Sequence, residues 1–242
     1  MFLGGFMKKI LALAAVAVTL STSIFAFGLD SLGLKGGINF GAGTTPEGYV
    51  KNAVENIEDK YKHGNVGGGF GVYALLDIFD LDFGMLYVQP EINFNFNNGF
   101  NVDNKDNKYQ SKAYTHTLDI PVLVTLEVPV ADMFEVGGGL GFQFAFPLKS
   151  DIETTYGSST SKASSDNDKI TGNPNFGMVF DINGKFLFGS GRKKNFAAVL
   201  DLRYSLDFAK TKFDFKNSNV TVNEEMFTRR YLSIWAGAEY RF

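Results

Sequence analysis

Residues 118–128 read LDIPVLVTLEV. The even positions, Leu118, Ile120, Val122, Val124, Leu126 and Val128, are all apolar. The odd positions carry Asp119, Thr125 and Glu127, with Thr117 just before them. A period of two is the signature of a β-strand with one apolar and one polar face, because successive side chains point to opposite sides.

The same alternation recurs along the chain after residue 28. Even-numbered apolar sets run through Leu32, Leu34, Ile38 and Phe40, and through Phe70, Val72, Ala74, Leu76 and Ile78. They continue in Leu86, Val88, Ile92, Phe94 and Phe96, and in Phe134, Val136, Leu140, Phe142, Phe144 and Phe146. Phe176, Met178, Phe180, Ile182, Phe186 and Phe188 form another set, and Phe196, Leu200, Leu202, Tyr204, Leu206 and Phe208 the next. The last is Leu232, Ile234, Ala236, Ala238, Tyr240 and Phe242. With 118–128 this makes eight strands of roughly 10–15 residues. Strands of soluble proteins are about 5–6 residues long and membrane-spanning ones about 9–11, so length favours the membrane.

The spacing between strands alternates. Short connections fall near 79–82, 129–133 and 189–195, and long polar ones near 42–65, 97–113, 149–173 and 209–227. Short turns at one end and long loops at the other are how transmembrane barrels are built. The stretch 50–62 fits a short helix. Residual alternation at Phe213, Phe215, Val220 and Val222 predicts that strands seven and eight project outward as a ribbon. The expected fold is all-β: an eight-stranded antiparallel up-and-down transmembrane β-barrel with four long outer loops and three short periplasmic turns.

Composition narrows the chemistry. The 242 residues include 25 Phe and 27 Gly, no Cys and two His, and carry a net charge of −3. Without Cys there is no disulfide framework, Cys-ligated metal or thiol nucleophile, and without a basic surface no nucleic-acid partner is expected. A mean hydropathy of −0.04 excludes a bundle of transmembrane helices. Residues 1–26 instead read as a secretory signal peptide. Lys8 and Lys9 precede an apolar run over 10–20, and Ser21, Thr22, Ser23 and Ala26 mark a cleavage region. Met7 is the more natural start, and residues 27–242 are expected to be the barrel. A retained N-terminal anchor is the alternative.

Alternation alone does not distinguish a membrane barrel from a lipocalin-like one, whose apolar face points inward. Most of the Phe lies on the apolar face, too many rings for a narrow lumen. The other face carries Gly67, Gly69, Gly71, Gly137, Gly139, Gly141, Gly177 and Gly237, suited to a crowded interior. It also mixes charges: Lys35, Lys185, Arg203 and Arg241 with Glu91, Asp119, Glu127, Glu135, Asp181, Asp201 and Glu239. Within an eight-stranded barrel these would pair as a plug. The expected lumen charge network is Lys35, Glu91, Asp119, Asp181, Asp201, Arg203, Glu239 and Arg241.

The segments Leu34-Lys-Gly-Gly-Ile-Asn-Phe40, Tyr87-Val-Gln-Pro-Glu-Ile-Asn93, Leu118-Asp-Ile-Pro-Val-Leu-Val124 and Trp235-Ala-Gly-Ala-Glu-Tyr-Arg-Phe242 resemble the small eight-stranded outer-membrane β-barrel family of the OmpA/OmpX, porin-like type. The resemblance implies location in the cell outer membrane, in contact with outer-membrane lipid. It also implies that the final strand is read by the outer-membrane assembly machinery as an insertion signal, here through Gly237, Tyr240 and Phe242.

Site chemistry is sparse. Gly137-Gly-Gly-Leu-Gly141 would need a following helix to cradle phosphate, but Phe142-Gln-Phe-Ala-Phe146 continues a strand. His116 falls near the outer rim beside Tyr114, and His63 falls in a loop. Neither has the serine and acid that a lipid-modifying barrel enzyme would require. Asp166 and Asp168 lack the twelve-residue calcium pattern. No cofactor and no metal are expected, and the protein is expected not to be an enzyme. The expected function is a monomeric barrel displaying loops for adhesion, envelope integrity or binding of an unidentified extracellular ligand. The alternative is a small-solute channel. If residues 1–26 direct export, the intact mass of protein extracted from membranes will match a chain cleaved near Ala26. A mass retaining residues 7–25 would contradict it.

Overall fold

In a bilayer every backbone N–H and C=O must find its partner within the protein, so a sheet survives there only as a closed ring. The computed structural model describes residues 28–42, 45–46, 61–62, 64–104, 109–164, 170–189, 194–217 and 220–242. Eight strands in it close such a ring. They are β1 (Leu29–Gly41), β2 (Val66–Leu81), β3 (Gly84–Asn104), β4 (Tyr109–Ala131), β5 (Phe134–Tyr156), β6 (Asn175–Phe188), β7 (Phe196–Asp207) and β8 (Arg230–Arg241). Each pairs antiparallel with its neighbour in sequence, and β8 returns to β1. In the closing seam Leu34 faces Ala238, Lys35 faces Gly237 and Ile38 faces Ile234.

The faces sort as the alternation requires. Outward-pointing Leu34, Phe70, Ile182 and Leu200 are each more than 60% exposed, as a lipid-contacting surface demands. Inward-pointing Ser31, Lys35, Asn39, Glu91, Asp119, Thr125 and Arg203 are buried. The inward glycines make room for rings. A Cβ on Gly33 would collide with the Tyr73 ring, and one on Gly69 would lie 2.7 Å from the Trp235 ring. At the end with the short turns, Tyr73, Leu75 and Tyr87 form a small buried cluster packed against Met85.

The strands are longer than the alternation indicates. Segments 97–113 and 149–173, expected as loops, largely continue the ladder. Asn98 pairs with Thr115, and the β3–β4 ladder runs to Asn104 opposite Tyr109. The β4–β5 ladder reaches Tyr109 opposite Tyr156, and Ser159–Ser164 folds back onto 151–156. Beyond the hydrocarbon neither face needs to be apolar, so the period of two disappears while the ladders persist, with strand-favouring Tyr109, Tyr114 and Thr115 in β4 and Thr154, Thr155 and Tyr156 in β5. The change occurs at a bulge where Asn97 takes a positive φ of 59°, a conformation Asn tolerates.

The outer connections also share a sheet. Thr211–Asn217 and Val220–Thr228 form the projecting hairpin between β7 and β8, and Ile170–Gly172 and Thr45–Pro46 pair along its two sides. Phe227 of that hairpin is buried edge-on against Phe100 of β3, with centroids 5.7 Å apart. Of the stretch considered for a helix, Tyr61–Lys62 is extended and pairs with β3; the remainder lies outside the described residues, as do the signal segment 1–26, His63, Asp166 and Asp168.

Val122 is on the lipid face and Thr125, fully buried, faces the lumen. Val122→Arg will therefore lower stability by about 2–4 kcal/mol in unfolding titrations in lipid, because it moves a charge into hydrocarbon. Thr125→Arg does not meet lipid. A harmless Val122→Arg would overturn the face assignment.

Candidate functional site

The lumen is where the barrel's buried chemistry collects, and position along each strand sets the height at which each group sits. At mid-height Arg203 of β7 reaches Glu91 of β3, on the opposite wall of the ring. Its Nη1 donates to Glu91 Oε2 at 2.6 Å and its Nη2 to Oε1 at 2.9 Å, a bidentate pair. The same guanidinium donates to Asp181 at 3.0 Å and to Asp201 at 3.1 Å. Lys35 of β1 adds bonds to Glu91 at 2.8 Å and Asp201 at 3.3 Å. Its ammonium also stands 5.4 Å from the centroids of Tyr73 and Trp235. Glu91 further accepts from its strand neighbours Gln89 and Asn93, at 2.6 and 2.7 Å.

A second level lies toward the short-turn end. Lys185 of β6 pairs with Glu239 of β8 at 2.6 Å and with Glu127 of β4, and the Tyr73 hydroxyl donates to Glu239 at 2.9 Å. Arg241 bonds Glu239 at 3.0 Å and Glu135 at 2.5 Å and reaches Glu127 at 3.4 Å. Of the eight residues expected to form the network, seven thus fall into these two levels. Asp119 sits higher in the same lumen, where its partners are neutral: Asn95 at 2.9 Å and the Tyr231 hydroxyl at 3.0 Å.

The third ionic level was not among the expected residues. Arg229, just before β8, pairs with Asp207 at 2.6 Å, and Asp207 also accepts from Asn175 and Gln143. Parity could have found it, since Arg229 shares the odd register of Tyr231 and Ser233, and Asp207 that of Asp201 and Arg203. Three voids within the lumen are each about 10 Å³, close to the minimum for a single water molecule, and a wider recess of about 610 Å³ lies at the short-turn end beside Glu127 and Glu135.

The other candidates are structural in their surroundings. Gly137, Gly139 and Gly141 lie within β5 against Asn183, Thr125 and Val122, with no helix following. His116 accepts a bond from the Asn97 backbone N–H at 3.4 Å, and its ring meets Tyr114 edge-on at 5.7 Å. Among the described residues no group of three or more His, Asp or Glu could hold a metal ion. On the closing strand, Gly237 admits β1 closely: a Cβ there would collide with the Leu34 carbonyl oxygen. Tyr240 stands on the lipid face between Phe196 and Phe242, at 5.2 and 5.1 Å. The Phe242 N–H donates to the Asp30 carbonyl at 3.0 Å.

Comparison with known proteins yields a family model described as an outer membrane protein beta-barrel domain, which matches residues 30–189. Among solved structures, the chain is similar to a major outer membrane protein from Thermus thermophilus, at 14% identity over 88% of this chain and 99% of that one, with a TM-score of 0.46. It is also similar to Neisserial surface protein A, at 9% identity over 87% of this chain and 97% of that one, with a TM-score of 0.44. A third is OprG from Pseudomonas aeruginosa, at 10% identity over 88% and 96%, with a TM-score of 0.42. No curated protein matches the chain.

Removing one member of a buried ion pair leaves its partner uncompensated. Arg203→Met strands Glu91, Asp181 and Asp201 around Lys35 alone and will cost about 3–5 kcal/mol in denaturant unfolding in lipid vesicles. Arg241→Met, at the partly solvated rim, will cost less. Equal losses would contradict the placement of Arg203 at the centre of the network.

Proposed function

The chain belongs to the outer membrane β-barrel protein family and resides in the outer membrane, and from that premise we propose that it is a closed, non-conducting and non-enzymatic barrel. Its work is to hold a folded outer surface on the cell, for adhesion, envelope integrity or contact with an extracellular ligand. One observation carries this reading: the Arg203–Glu91 pair joins opposite walls at mid-lumen with bonds of 2.6 and 2.9 Å. An eight-stranded barrel has an interior just wide enough for side chains to fill, and here charged groups fill it. A hydrated solute would have to break this bidentate pair and its links to Asp181, Asp201 and Lys35 together.

The outer surface supports the display reading. Three of the four outer connections contribute strands to one sheet. The fourth rises as the long β3–β4 ladder. Such a surface is shaped by backbone pairing, so it presents a fixed relief to a partner. We further propose that residues 1–26 direct export and are removed. In the same reading, Gly237, Tyr240 and Phe242 engage the assembly machinery and the barrel acts as a monomer.

Single-channel recording of the purified full-length protein in a planar bilayer tests the proposal. The expected trace shows no stepwise conductance above the bare membrane. Steady, reproducible steps would replace this function with that of a small-solute channel.

A further inference from the structure

Two of the lumen voids lie between successive levels of charge. The lower one touches Lys35 and Asp201 of the middle level and Lys185 of the level beneath. The upper one touches Arg203 of the middle level together with Asp119 and Tyr231 above it. Each is about 10 Å³, so an occupant is one small molecule or ion.

The lining selects among them. Around the lower void, Asn183 Oδ1 and Asp201 Oδ1 are buried acceptors with no partner among the described residues. Lys35 and Lys185 each have three N–H donors and each engages two carboxylates. Around the upper void, Asn93 Oδ1 and Asp119 Oδ1 are acceptors and the Ser233 hydroxyl is a donor, and Trp235, which lines both voids, adds an indole N–H; all four are without a partner among the described residues. These four residues are at most 2% exposed. A buried polar group left without a partner is costly. A cation would face two ammonium groups in the lower void, and Arg203 in the upper. An anion would face Asp201 or Asp119. Water donates two hydrogen bonds and accepts two, and both linings offer acceptors and donors together.

We propose that each void is a binding site for one ordered water molecule. The lower water joins Asn183 and Asp201 to the ammonium groups. The upper water joins Asn93 and Asp119 to Ser233, and the Trp235 indole N–H donates to one of the two. Each links two levels of charge, so the lumen becomes one hydrogen-bonded column. This inference does not depend on the barrel being non-conducting, because bound water and ionic conductance are measured separately.

Trp235 is the chain's single tryptophan, so its indole N–H gives one unambiguous resonance. Solid-state NMR of the full-length protein in bilayers, with magnetisation transferred from water, will show transfer to that buried N–H. Ser233→Val fills the upper void and Asn183→Leu the lower, and one of the two will abolish the transfer while leaving the strand resonances in place. No transfer in the unsubstituted protein, or undiminished transfer in both variants, would overturn the proposal. Should either variant fail to fold, a crystal structure of the unsubstituted protein that resolves ordered water decides. One water peak in each void supports the two sites, and an empty void or an ion in its place overturns them.

Discussion

The pairing of β1 with β8 is the constraint on which everything else in this molecule rests. Unpaired edges in hydrocarbon would expose a row of N–H and C=O groups, each costing several kcal/mol. Closing the ring removes both edges at once. It also separates the residues into two populations by parity, because a closed wall has one side in lipid and one side within. Close approach at the seam has a local requirement, met where Gly237 of β8 lies opposite Lys35 of β1 with no room for a Cβ.

Once the ring is closed, its interior must be filled. Rings occupy the spaces of missing side chains, Tyr73 over Gly33 and Trp235 over Gly69. Charges occupy the axis. Buried ion pairs are weak evidence for stability as such, since an apolar filling of equal volume is often at least as stable. What these pairs add here is connection between distant walls: β7 to β3 through Arg203 and Glu91, β6 to β4 and β8 through Lys185, and β8 to β5 through Arg241. Apolar contacts are non-directional and would not fix which wall residues meet. A bidentate guanidinium–carboxylate pair does.

Much of this architecture was legible in the sequence, for a physical reason. Where one face meets lipid and the other the lumen, as along 118–128, every residue declares its side. The eight strands, their order and the inward groups follow from that. Where both faces leave the bilayer, the declaration stops. The ladders over Asn98–Asn104 and 149–156 and the sheet shared by three connections were not readable there, although Thr154, Thr155 and Tyr156 are strand-favouring residues. Parity also carries no information on height. It placed Asp119 with the charged groups, whereas its position along β4 puts it beside Asn95 and Tyr231. It gave no reason to match Arg203 with Glu91, which are 112 residues apart. Arg229 follows the odd register of Tyr231 and Ser233, but it stands before Leu232, the first residue of the last apolar set, so the register reaches it only when extended backward from that set.

The central claim is closure of the ring in one register, and the chain's lack of cysteine allows a direct measurement. Leu34 and Ala238 are partners across the β1–β8 seam, with Ala236 two positions away along β8. Directly paired residues lie within the reach of a disulfide, and positions shifted by two lie beyond it. Under mild oxidation in bilayers, the double variant Leu34→Cys with Ala238→Cys will form an intramolecular disulfide, and Leu34→Cys with Ala236→Cys will remain reduced. Cross-linking of the shifted pair in preference to the aligned one, or of neither, would contradict the closed barrel described above.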